Sequence, residues 1–155
     1  MKNIGTYKLT QNEIGFYQED HPDLLTDGRH IGRVGETWVA KFVNGVRQPE
    51  NSPFDILTNK SKYYEKNTRI EVRSAIKTVS FAPSKEVGYG RTVTEDGFNG
   101  KLENLDVFII IDSRQIGQAY VHLIELTKND ILKLELGKNK SMSTKKFWNK
   151  IDTWK

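Results

Sequence analysis

Residues 107–112 read Val-Phe-Ile-Ile-Ile-Asp, the most apolar run in the 155-residue chain. Five large apolar side chains in succession leave no polar face whichever way a strand is turned, so this segment predicts a buried central strand. Residues 119–124, Ala-Tyr-Val-His-Leu-Ile, read as its neighbour. Over 31–43 the periodicity changes. Val34, Trp38, Val39, Phe42 and Val43 recur at helical spacing and Asn44-Gly45 follows as a stop, which predicts a helix of about three turns.

The remaining elements fall around these. Residues 53–57 form a short apolar run broken by one acid, residues 58–62 read as a polar turn, and a second strand is expected from 68 to 76, extending through Val79 to Phe81. Residues 85–100 read as a long loop, with a short helix near 98–105. Further helices are expected over 128–134 and 143–151, the latter packing through Phe147, Trp148 and Ile151. The first 28 residues, polar with scattered apolar anchors, suggest an irregular arm or a short hairpin. No internal repeat is visible. The order predicts one α/β (α+β) domain spanning 1–155, with a central mixed β-sheet flanked by helices. Its parts are an N-terminal arm (1–28), a core (29–126) and a C-terminal helical segment (127–155).

Composition narrows the chemistry. The chain has no cysteine, which excludes disulfides, thiolate zinc sites and a cysteine nucleophile and fits a reducing compartment. It contains no apolar run of the roughly 20 residues that span a bilayer, and Met-Lys-Asn-Ile-Gly lacks the apolar region of a signal peptide, so a cytoplasmic protein without a membrane partner is expected. The formal net charge of +4, with basic residues gathered after residue 60 and in Lys138, Lys140, Lys145 and Lys146, favours a polyanionic partner such as nucleic acid. The three histidines, at 21, 30 and 122, are dispersed and form no hydrolase triad. Gly88-Tyr89-Gly90-Arg91 lacks the Gly-Lys-Ser/Thr ending of a phosphate loop, so no nucleotide cofactor is expected.

Two acids interrupt the predicted strands. Asp55 stands between Phe54 and Ile56, and Glu71 between Ile70 and Val72. If those strands pair as a hairpin the acids come side by side, where they repel unless a cation lies between them. Oxygen ligands of this kind favour Mg²⁺, with Mn²⁺ also suited. Arg73, two residues beyond Glu71, shares its face of the strand and offers a permanently charged fork for phosphate oxygens. The alternative is an exposed edge-strand pair, or acids bridged to Arg69 and Arg73 across the hairpin.

Asp55 followed by Glu71-Val72-Arg73, with Glu36 on the preceding helix, resembles the PD-(D/E)XK nuclease superfamily. The resemblance covers residues 28–126 and implies that family's αβββαβ restriction-endonuclease-like core. Together with Val79-Ser80-Phe81-Ala82-Pro83-Ser84 leading to Gly88-Tyr89-Gly90-Arg91, it looks most like a small type II restriction endonuclease. That family implies a Mg²⁺-dependent homodimer that cuts double-stranded DNA at a short sequence. Asp55 and Glu71 would be metal ligands, the Val72 carbonyl a third, and Glu36 a residue for a second metal or for orienting water. Contacts to DNA would come from Lys77, Ser84, Lys85, Tyr89 and Arg91.

Two positions depart from the family pattern. The proline is Pro53, one place early, and the usual lysine is Arg73, which stabilises charge but does not readily take a proton. The same residues also fit a structure-selective nuclease such as a Holliday junction resolvase. From another class, they fit a non-catalytic DNA-binding module with a degenerate site.

Overall fold

The computed structural model describes residues 1–87 and 89–154. Its main sheet is mixed, with six strands: β1 (Lys2–Lys8), β2 (Gly45–Arg47), β3 (Ile56–Thr58), β4 (Arg69–Ser74), β6 (Val107–Asp112) and β7 (Tyr120–Thr127). They lie side by side in the order β1-β7-β6-β4-β3-β2. The short strands β5 (Thr78–Ser80) and β8 (Ser141–Ser143) pair apart from it as a two-stranded sheet.

All six residues of β6 are buried, and successive side chains enter different cores, as the period of a strand requires. Val107, Ile109 and Ile111 join a core on the side of helix α2 (Gly28–Val43). Phe108 and Ile110 join a second, with Phe98 and Leu102 of α3 (Glu95–Glu103) and Phe147, Trp148 and Ile151 of α5 (Thr144–Thr153). Short helices α1 (Gln11–Ile14) and α4 (Lys128–Lys133) complete the set. Each of the large side chains removed from water contributes on the order of 2 kcal/mol.

The expected helix over 31–43 begins earlier, at Gly28, because the Asp27 carboxylate caps the Arg29 and His30 amides. It stops where expected: Asn44 adopts the left-handed conformation (φ 58°). From α2 the chain runs β2, β3, β4, antiparallel neighbours throughout. It then crosses through α3 to β6, which pairs parallel with β4. Counting only the strands of the main sheet, the order from Gly28 to Asp112 is α-β-β-β-α-β, with β5 of the small sheet inserted between β4 and α3.

Three expectations are corrected. Residues 1–28 are neither an irregular arm nor a hairpin: β1 is an edge strand paired antiparallel with β7. The segment behind it is tied to α2 by Glu13, which accepts hydrogen bonds from Tyr7 (3.0 Å) and from the Trp38 indole. The strand expected through Phe81 breaks after Ser74, and Val79 pairs with Met142 in the small sheet. The C-terminal segment accordingly includes a strand as well as helices. Among the described residues, no helix is long and apolar enough to cross a membrane.

Helix α2 lies close against the sheet because Gly35 has no side chain: a Cβ there would collide with Ile111 and meet Val72 at 3.9 Å. Ile111 is fully buried in the core, so its side chain would have to push into packed neighbours to make way. Gly35→Val is therefore expected to destabilise the protein by about 3 kcal/mol through overpacking, read as a lower urea midpoint at unchanged slope.

Candidate functional site

The strand β3 begins at Ile56, so β4 loses its backbone partner on that side just beyond Ile70. Asp55 fills the gap. Its amide donates to the Ile70 carbonyl (3.0 Å), and its carboxylate Oδ2 accepts from the Val72 amide (2.8 Å). In an extended strand the N–H and C=O of one residue point to the same edge. The Val72 carbonyl therefore faces the side on which Asp55 lies.

Glu71 points to the other core, in register with Phe108, while Arg73 is in register with Ile110. The expected same-face relation holds: Arg73 Nη2 lies 2.9 Å from Glu71 Oε1. Glu71 is only 2% exposed. Burial pushes its pKa upward and the Asp55 charge adds to the shift, while Arg73 and Lys101 oppose it without cancelling it. Arg73 also donates to the Ala82 carbonyl (3.0 Å), so it is clamped between two acceptors.

Lys101, on α3, was not expected here. Its Nζ lies 2.7 Å from Glu71 Oε2 and donates to the Pro53 carbonyl at 3.1 Å. The contact with Glu71 is a close ion pair whose angles fall outside those of a directed hydrogen bond, so Oε2 is buried without one. Spacing along the strand could not locate this lysine, because a crossover separates it from Glu71. The one available signal was helical: Lys101 stands three residues after Phe98, on the flank of the stripe that Phe98 and Leu102 bury.

These groups open into a cleft of about 1410 Å³ whose wall includes Glu36, Asp55, Glu71 and Lys101. Glu36, on α2, is paired with Arg47 of β2 at 2.8 Å. Burial raises its pKa and the Asp55 charge raises it further, against the opposing pull of Arg47 and Arg73. Of the residues expected to contact DNA, Ser84 and Lys85 line the cleft. Lys77 is exposed at the break between β4 and β5, where its carbonyl accepts from the Thr144 amide. Arg91 is exposed and donates to the Val87 carbonyl (3.3 Å), and Tyr89 is fully exposed. These three lie outside the cleft wall, and Gly88 lies outside the described residues.

Six carboxylates line the cleft (Glu36, Glu50, Asp55, Glu71, Glu86, Asp96) against four cations (Arg33, Arg47, Lys85, Lys101). The excess of acids favours a bound cation. Among the described residues no three carboxylate or imidazole groups form a metal-binding cluster by themselves. Mg²⁺, however, commonly takes only one or two carboxylates and fills its shell with water and substrate oxygens. Asp55 and Glu71 both line the cleft, Glu71 with a buried oxygen that lacks a directed hydrogen bond, and they are a carboxylate pair of that kind, whereas Val72 lies outside the cleft wall. No protein-family model, curated protein or solved structure matches the chain.

The upward shift of Glu71 has a testable sign. The folded protein holds this proton more tightly than the unfolded chain, so the stabilisation from this group is complete below pH 4.5, the ordinary value, and is lost as pH rises through the folded pKa. Glu71→Gln removes that titration. The stability of the unsubstituted protein relative to Glu71→Gln should therefore fall as pH rises through this window. Denaturant titrations across the range measure the difference, and a flat line would count against the assignment.

Proposed function

We propose that the chain is a Mg²⁺-dependent endonuclease of double-stranded DNA, of the type II restriction kind, in which Asp55, Glu71 and the Val72 carbonyl hold the ion. The observation that carries this reading is the meeting of Glu36, Asp55, Glu71 and Lys101 in one open cleft, at the point where β3 and β4 part. The α-β-β-β-α-β order supports it, since it sets the helix acid, the strand acids and the crossover helix around a single edge.

When bound, the ion lowers the pKa of the attacking water and offsets phosphate charge. The chain supplies the remainder. Asp55 and Glu71 provide the negative charge that makes an ion welcome in a partly desolvated place. Glu36 is within electrostatic reach of Asp55 and is suited to orienting the water on that side. Water adds to phosphorus as the bond to the 3′ oxygen breaks, leaving a 3′-hydroxyl and a 5′-phosphate.

The cation roles are better divided than the sequence alone suggests. Arg73, clamped by Glu71 and the Ala82 carbonyl, fixes the carboxylate. Lys101 belongs to the cleft wall, from which an ammonium can carry charge or exchange a proton with a phosphate bound there. Ser84 and Lys85 extend the contact along the DNA backbone. One such site cuts one strand, so cutting both strands at a symmetric sequence calls for two copies about a two-fold axis.

Incubation of supercoiled plasmid and long linear DNA with Mg²⁺ should yield discrete fragments, and none with chelator. Asp55→Ala or Glu71→Ala should lower the rate on the order of a thousandfold. Cleavage of branched DNA alone would favour junction resolution. Binding without cutting in any divalent ion would favour a non-catalytic module, and full activity in either variant would sink the site.

A further inference from the structure

We infer that the Lys101 ammonium occupies the divalent cation's place at Glu71, so that the ion and the lysine compete for the same oxygen. This inference rests on the reading of Asp55 and Glu71 as metal ligands. Glu71 has two oxygens and both are taken: Arg73 holds Oε1 at 2.9 Å and Lys101 holds Oε2 at 2.7 Å. Each cation is also held by a backbone carbonyl, Arg73 by Ala82 and Lys101 by Pro53. Only Lys101 lines the cleft and has open space beside it, so Lys101 is the movable partner.

The surroundings of its Nζ are those of a cation site. Besides Oε2 it touches the Pro53 carbonyl, two residues from Asp55. Its side chain is only 11% exposed, so the ammonium has given up most of its water for protein oxygens. A hard divalent ion asks for the same oxygens. An ion bound at Oε2 would stand within a few ångströms of the ammonium, and the repulsion between them favours displacement of the lysine. The four-carbon stem lets the ammonium swing, and the side on which it is free to move is the open cleft, where a phosphate would lie. Ion binding would thus release Lys101 toward the substrate. The lysine lowers metal affinity in the absence of DNA and becomes available when the ion arrives.

Mn²⁺ binding to the DNA-free protein, followed by the electron paramagnetic resonance signal of the free ion, tests this. Lys101→Met, similar in volume and uncharged, should bind Mn²⁺ more tightly, on the order of tenfold, while cutting DNA more slowly. The gain should vanish in Lys101→Met combined with Glu71→Gln. Unchanged or weaker Mn²⁺ binding in Lys101→Met, with binding in the unsubstituted protein that Asp55→Ala abolishes, would overturn the competition and leave the metal reading standing. Absence of Mn²⁺ binding in all forms would overturn both. Should Lys101→Met fail to fold, Lys101→Gln, which keeps a donor for the Pro53 carbonyl, answers the same question.

Discussion

The side chains of β6 are buried on both faces of the sheet, and each face needs a covering layer. One layer is α2, drawn close by Gly35. The other is built from α3, α5 and the small sheet around Phe81, Phe108 and Phe147. Because β4 and β6 run parallel, a crossover must join them, and α3 lies on that crossover. The helix that covers the second core is therefore also the helix that carries Lys101 over Glu71.

That arrangement sets an unusual balance at Glu71. A carboxylate in register with Phe108 is desolvated, and two cations in contact do not restore its ordinary pKa. Buried ion pairs of this kind are weak sources of stability, since the desolvation penalty rivals the attraction. A leucine would suit the second core better. Retention of an acid, an arginine and a lysine beside an acid-rich cleft is more readily understood as preparation for a charged ligand.

Much of this was legible along the chain. The run 107–112 announced its burial, and the spacing from Val34 to Val43 announced α2, because both patterns are local. Glu71 and Arg73 could be put on one face by the period of two, and Asp55 beside them by the hairpin. Less legible was the strand after Ser74, where Val79 reads as a continuation but turns to pair with Met142. Residues 1–28 were misread for a similar reason: the partner of β1 is β7, more than a hundred residues away, and edge pairing leaves little mark on a polar strand. Lys77, Tyr89 and Arg91 lie outside the cleft wall, and charge and loop composition do not say which side of a loop borders it.

Sequence by itself determined helix α2, the two-faced strand and the pair of acids, because periodicity and side-chain chemistry act over a few residues. Tertiary structure decided which cation meets those acids. The choice between Arg73 as a phosphate contact and Arg73 as a brace depends on the Ala82 carbonyl, and the presence of Lys101 depends on the path of a crossover. Both are long-range facts, fixed by how the layers pack on β6 rather than by any spacing in the chain.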